Sequence, residues 1–273
     1  MLVQNSNTSI LRFRCDTLLV FLNQNKASDK VKIDINCDMG ENIGNDEKIM
    51  PYITSANIAC GFHAGDEMSM RLTVRLAKKY RVAVGAHPSW KDGEGFGRRE
   101  MSLSSEEVEA LMLYQIGALY AIAKAEDVEL RHVKPHGALY NQAAKDQRLA
   151  DAIVRAVKSF SEDLVLVGLA GSRLVEAGLE AGLQVANEGF PDRNYNPDGT
   201  LVSRKEPNAI IEAPDAVAAH AVKLVRDGIL FGNKRVRVDT LCLHGDHSHA
   251  AENAKAVRDV VSKEGIEVEV LKR

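Results

Sequence analysis

The chain has no run of like charge. Its 35 basic and 38 acidic residues are interspersed and leave a formal charge of -3. That excludes a strong electrostatic footprint for nucleic acid and gives no reason to expect binding to an anionic membrane. Long apolar runs are also missing. The longest, such as Leu164 to Ala170, are far too short to span a bilayer. Cysteine is sparse: Cys15, Cys37, Cys60 and Cys242 make no C-x-x-C pair and no zinc-like spacing. A disulfide framework is not expected at this size, and a reducing, cytoplasmic setting fits. No G-x-x-x-x-G-K-[ST] occurs, no G-x-G-x-x-G follows a strand, and no G-x-S-x-G is present. These absences remove the P-loop, the Rossmann dinucleotide site and the nucleophile elbow.

What remains is ordinary globular material, 45% hydrophobic and 27% charged over 273 residues. Residues 1–30 stand apart. They are rich in Asn and Ser, and their one apolar stretch, Thr17 to Leu22, is too short and poorly flanked for a secretory signal. They are expected to be a dispensable extension, with residues 31–273 forming a single catalytic domain.

From Val31 onward, short apolar or β-branched runs alternate with amphipathic stretches. Strands are expected at Val31–Asn36, Ile53–Ala59, Val82–Ala86, Glu129–Val133, Leu164–Gly168, Gln184–Asn187, Val236–Leu243 and Glu267–Leu271. Ser104 with Glu107 reads as a capping box, and Leu103 with Val108 as its hydrophobic staple. Val108, Leu111, Met112, Gln115, Leu119 and Ile122 then share one helix face. Leu149, Ile153, Val157 and Phe160 form a second stripe. Pro214 suits a first helical turn whose helix stops at Gly228, and Ala250, Ala254, Val257 and Val261 precede a stop at Gly265.

Repeated β-then-α units imply a mostly parallel sheet. Polar chemistry follows almost every strand, as a barrel with one functional mouth requires; an open sheet would gather it at one switch point. The fold class expected is therefore α/β, a TIM-like (β/α) barrel with seven strands or a distorted eighth.

The candidate chemistry sits at those strand ends. Asp34, Asn36 and Asp38 alternate along the first strand and point to one side. Buried carboxylates need partners, so they serve as general bases, cation ligands or binders of a substrate amide or ammonium, or else form a network closing the barrel top. Glu41 follows in a glycine-containing loop. Small residues surround Asn57, His63 and Asp66, which lets a ligand approach closely; Asp66 is equally a helix N-cap. Cys60 reads as packing. His87 ends the third strand. Arg98 and Arg99 in a glycine-rich loop suit bidentate recognition of carboxylate or phosphate, or lie solvated on the surface. Lys134 and His136 share a strand end, where a lysine can stabilise an oxyanion or bind a carboxylate. His132 is expected to face the opposite, packing side. Glu188, Asp192, Arg193, His244 and Asp246 complete the set. His220 reads as structural, and His247 and His249 as the start of the last helix. Several histidines and acids at one mouth permit a divalent metal, without a diagnostic spacing.

The segments Asp34-Ile-Asn-Cys-Asp-Met-Gly-Glu41, Ser55-Ala-Asn-Ile-Ala-Cys-Gly-Phe-His-Ala-Gly-Asp66, Gly85-Ala-His-Pro-Ser89, Gly95-Phe-Gly-Arg-Arg99, Lys134-Pro-His-Gly-Ala-Leu-Tyr-Asn141 and His244-Gly-Asp246 resemble the LamB/YcsF family. These are the A subunits of prokaryotic-type 5-oxoprolinase, formerly lactam utilisation proteins. The resemblance runs from about Lys32 to the C-terminus. Departures from the family pattern include a shorter loop between Glu41 and Asp46, Glu67 after Asp66, and Trp90-Lys91 after Ser89. The resemblance implies a seven-stranded barrel related to glycoside hydrolases and polysaccharide deacetylases. It implies opening of 5-oxo-L-proline to L-glutamate with ATP as co-substrate, magnesium accompanying the nucleotide, and partner subunits B and C. On that basis Asp34, Asp38, Lys134 and His136 are the catalytic candidates. Asn36, Glu41, Asn57, His63, His87, Arg98, Arg99, Glu188, Asp192, Arg193, His244 and Asp246 are candidates for substrate binding. The rival readings are a metal-dependent carbohydrate deacetylase and a non-catalytic protein that binds the lactam.

Overall fold

Strand β1 (Lys32–Met39) sets the plan of the molecule. Ile33, Ile35, Cys37 and Met39 belong to the main apolar core, while Asp34, Asn36 and Asp38 turn to the other side. This is the period-two alternation of a strand with two different faces. The computed structural model describes residues 30–231, 233–246 and 249–272. The expected extension therefore lies outside the described residues, as does His247. Residues 31–273 cluster as one compact unit.

Short helix α1 (Asp46–Ile49) leads to β2 (Ser55–Ala59), α2 (Glu67–Tyr80), β3 (Ala83–His87) and α3 (Ser105–Ala125). Then come β4 (Leu130–Val133), α4 (Gly137–Ala143), α5 (Gln147–Phe160), β5 (Val165–Leu169), α6 (Arg173–Glu180) and β6 (Val185–Gly189). After α7 (Pro214–Asp227) come β7 (Ile229–Phe231), β8 (Lys234–Val236), β9 (Thr240–Leu243), α8 (Ala250–Lys263) and β10 (Glu267–Val268). Strands β1 to β6 pair in parallel in sequence order, β6 pairs with β9, and β9 pairs with β1 through Asp34↔Thr240 to Cys37↔Leu243. The sheet is thus a closed seven-stranded barrel. The eighth expected strand is only β10, paired with the first residues of β1.

One expected strand is divided. Val236–Leu243 is split between β8, which forms an antiparallel hairpin with β7, and β9 in the barrel wall. Val238 between them is buried against Gly189. Val236, Val238 and Thr240 alternate with Arg237 and Asp239 as a single strand would, but the segment serves two different sheets.

The helices follow their sequence signals. The Ser104–Glu107 capping box closes the N-terminus of α3 in both directions. Asp66 caps α2 in the same way with Ser69, so the N-cap reading of Asp66 holds. By length and composition α3 is apolar enough to cross a bilayer. In this fold its stripe from Val108 to Ala123 joins the core, and Glu109 pairs with Arg155 of α5.

Candidate active site

The barrel interior is largely polar. Asp34, 1% exposed, accepts hydrogen bonds from Thr54 Oγ1 and Ser55 Oγ at 2.7 Å and from Thr240 Oγ1 at 2.5 Å. Above it, the Asn36 amide donates to Glu188 Oε1 (2.9 Å) and Thr240 Oγ1 (2.7 Å). Its carbonyl accepts from Asn57 Nδ2 (2.7 Å) and Lys134 Nζ (3.3 Å). Asn57 also donates to Asp38 and accepts from His132 Nε2 at 2.8 Å. His132 therefore faces the interior, not the packing side. It lies two residues before Lys134, which directly follows β4 and continues its pairing with β3, and period-two geometry sends both side chains the same way. Its ring occupies space that Gly85 leaves open: a Cβ there would lie 2.1 Å from His132 Nε2. Burial pushes the His132 imidazole down to about 3, with Lys134 adding to the effect, so it is neutral.

At the mouth, Lys134 Nζ lies 2.9 Å from Asp38 Oδ1, 2.9 Å from Glu188 Oε1 and 3.0 Å from Cys242 Sγ. Burial pushes its ammonium down, but the charges of Asp38 and Glu188 outweigh burial and hold it well above the usual lysine value. Burial likewise pushes the Asp38 carboxyl up. His87 and Lys134 overcome that and hold it well below the usual carboxylate range. The Cys242 thiol is driven well above its ordinary value by burial, and that of Cys60 to about 12, so both are protonated and inert.

A histidine cluster borders Asp38. His87 Nδ1 meets the Lys134 carbonyl at 2.7 Å, and His87 Nε2 faces Asp38 Oδ2 at 3.3 Å and His136 Nδ1 at 2.9 Å. His136 Nε2 meets the Phe96 carbonyl at 2.9 Å. Phe96 holds a left-handed φ of 53°, and Gly97 follows at 65°. A Cβ on Gly97 would come within 2.9 Å of His136. The glycine-rich loop is thus bent tightly onto this ring. His63 stacks on His136 with centroids 3.8 Å apart, and its Nε2 lies 3.1 Å from Glu41 Oε1. Burial lowers the pKa of both His63 and His136.

A cavity of about 810 Å³ opens above these groups, within the common range of small-molecule sites. Asp38, Glu41, His87, Lys134 and His136 lie on it, with Tyr140, Leu169, Phe190, His244 and Asp246 around them. Its rim carries Arg98, Arg99, Lys145, Arg193, Arg204 and Lys205. Arg98 donates to Asp246 at 2.5 Å, joining the third-strand loop to the turn after β9. His244 Nδ1 lies 2.6 Å from Asp192 Oδ2.

Not every candidate reaches the reacting space in the same way. Asp34 does not line the cavity, and its oxygens are occupied by three hydroxyls. Asn36, Asn57 and Glu188 form the layer beneath Asp38 and Lys134. Arg99 points its guanidinium at Asp92 and Glu94 and is 62% exposed. Arg193 donates to the carbonyls of Ala209 and Val202 and so holds its own loop. His220 Nδ1 meets the Pro191 carbonyl at 2.9 Å, beside Asp192. Thr240, Cys242, Tyr140, Phe190 and Arg204 join the site without having stood out in the sequence. Strand alternation from His244 would have found Cys242 and Thr240; no pattern marks Arg204.

The profile of the LamB/YcsF family matches residues 33–273. A protein of Pyrococcus abyssi named as the A subunit of 5-oxoprolinase is 50% identical over 251 residues, covering 89% of this chain and 98% of its own length. One of Bacillus subtilis with the same name is 50% identical over 246 residues, covering 87% and 97%. The crystal structure of a lactam utilization protein from Thermus thermophilus superimposes with a TM-score of 0.80 at 46% identity, covering 88% of this chain and 100% of that one.

Proposed function

The chain belongs to the LamB/YcsF family, and from that premise we propose that it is the A component of an ATP-dependent 5-oxoprolinase, a multi-subunit hydrolase that opens 5-oxo-L-proline to L-glutamate. The observation that carries the reading is Asp38. Its carboxylate is fixed between Lys134 and His87 on the floor of a cavity with a cationic rim.

A lactam carbonyl is stabilised by resonance and resists water. Transfer of the ATP γ-phosphoryl group to the amide oxygen makes the ring carbon electrophilic. Water adds to that carbon and the C–N bond breaks, with the ring nitrogen taking up a proton. The resulting acyl phosphate is cleaved by a second water to glutamate and phosphate. Asp38 orients the attacking water and accepts its proton. A carboxylate held well below its usual range is a weak base, but an activated carbon needs only a weak one. Lys134 offsets negative charge developing on oxygen, and the rim arginines Arg98 and Arg204 hold phosphate or the substrate carboxylate. His136 and His87 border the same space, with His136 held neutral by burial. The partner subunits B and C complete the use of ATP, which arrives with magnesium. The setting is cytoplasmic, where ATP is available and the buried free thiols Cys37, Cys60 and Cys242 stay reduced.

The test is glutamate release from 5-oxoproline and ATP by the chain alone and with subunits B and C added. Little activity alone and clear activity on reconstitution is expected. Robust ATP-coupled turnover by the isolated chain would overturn the division of labour. ATP-independent acetate release from an acetylated sugar would move the chain to the deacetylases. Lactam binding without turnover in the full complex would make it a non-catalytic binding protein.

A further inference from the structure

Hydrogen-bond logic fixes the proton positions on two buried histidines. A backbone carbonyl only accepts. His87 Nδ1 faces the Lys134 carbonyl and His136 Nε2 faces the Phe96 carbonyl, so each of these nitrogens carries a proton. The opposite nitrogens, His87 Nε2 and His136 Nδ1, then face one another at 2.9 Å, with Asp38 Oδ2 3.3 Å from His87 Nε2. That edge is satisfied by a proton on His87 Nε2 or by a cation that both nitrogens ligate, and His63 and Glu41 beside it supply further ligand atoms for a cation.

A second, independent observation concerns Glu41. Its side chain is 6% exposed, and its ion-pair partners among the described residues are His63 at 3.1 Å and His136 at 3.6 Å. No lysine or arginine pairs with it there, whereas the neighbouring carboxylates Asp38 and Glu188 share Lys134. A buried carboxylate without a cation is costly.

We propose that Glu41, His63, His87 and His136 form a binding site for one divalent metal ion. The four residues offer ligand atoms all within 4.8 Å of one another. Their separations of 2.9, 3.1 and 3.6 Å match the edges of a coordination shell with metal–ligand bonds of about 2.1 Å. Three imidazoles and one carboxylate select a borderline first-row ion such as Zn²⁺ or Co²⁺ over Mg²⁺, which prefers oxygen. The two backbone carbonyls are the outer partners that fix tautomer and ring orientation, as metal-binding histidines require. The site is distinct from any magnesium that accompanies ATP. It needs neither the lactam nor the partner subunits, so its failure and that of the proposed reaction are separable.

The test uses the full chain, stripped with EDTA and titrated with Zn²⁺ and with Co²⁺ by calorimetry. One ion per chain is expected, undisturbed by a large excess of Mg²⁺. His87→Gln and His136→Gln should each weaken binding by about 100-fold or more, while His220→Gln binds as the wild type does. Circular dichroism checks that the variants fold. Should they not, the visible spectrum of Co²⁺ on the wild-type chain decides. Nitrogen and oxygen ligation gives d–d bands without a thiolate charge-transfer band. A thiolate band would place the ion at Asp38, Cys242 and His244 instead and overturn the assignment. So would the absence of stoichiometric binding, or equal binding by the two histidine variants.

Discussion

Asp38 Oδ1 and Lys134 Nζ meet at 2.9 Å across the barrel mouth, although 96 residues separate them in the chain. The same ammonium reaches Glu188 at 2.9 Å. One lysine is therefore shared by two carboxylates, and the two substitutions that probe this contact have different consequences.

Asp38→Asn keeps the shape of the side chain and removes its charge. Glutamate release by the reconstituted complex should fall by roughly 10²–10⁴, with the thermal midpoint little changed. Lys134→Met also lowers turnover, but it leaves Asp38 and Glu188 without their cation. Breaking a buried pair from one side costs about 3–5 kcal/mol, so its melting temperature should drop sharply. Volume alone suggests that the methionine variant folds normally; the shared carboxylates argue otherwise. Wild-type turnover in Asp38→Asn would remove Asp38 from the chemistry.

Gly85→Ala tests the polar interior. The added methyl would sit 2.1 Å from His132 Nε2, inside van der Waals contact with a fully enclosed ring. The ring must leave Asn57, and a loss of about 1–3 kcal/mol or more is expected. Thermal melts measure it. The double variant Gly85→Ala with His132→Ala should recover part of the loss, and an unchanged midpoint in the single variant would contradict the packing.

Glu126, at the end of α3, binds Arg75 and Arg71 of α2 at 2.9 and 2.5 Å. Hydrogen bonds from Arg75 and then Arg71 lower its carboxyl from 4.5 to about 2. A depressed folded pKa contributes stability above the unfolded value and loses it as pH falls through the folded one. The stability difference between wild type and Glu126→Gln should be constant near neutrality. It should shrink as pH falls from about 4.5 toward about 2, and high salt should reduce it because both arginines are half exposed. A difference that grows on acidification would contradict the pairing.

Much of the fold was legible because barrel strands are short apolar runs between capped amphipathic helices. Ser104 and Glu107, Pro214, Gly228 and Gly265 each mark a helix end that the structure shows. The hairpin of β7 and β8 was not legible, because Val236-Arg-Val-Asp-Thr240 alternates like one strand running straight into Leu241–Leu243. The placement of His132 was missed for a different reason. A lone histidine in a short strand between Leu130 and Val133 looks like packing, although its spacing from Lys134 already puts both on one face. Arg99 and Arg193 illustrate the limit of motif reading. Their residue type suits anion recognition, but Asp92 and two backbone carbonyls claim their guanidinium groups. Those partners come from loop conformation, which alternation does not encode.

Each interior amide is fixed in direction as well as position. Asn36 must donate to Glu188 and Thr240 while accepting from Asn57 and Lys134, and Asn57 must donate to Asn36 and Asp38 while accepting from His132. Reversing one donor strands a neighbour, so these positions cannot drift singly. Lineages descending from a common ancestor would inherit the barrel's interior as a block, and any change there would arrive with a matching second change.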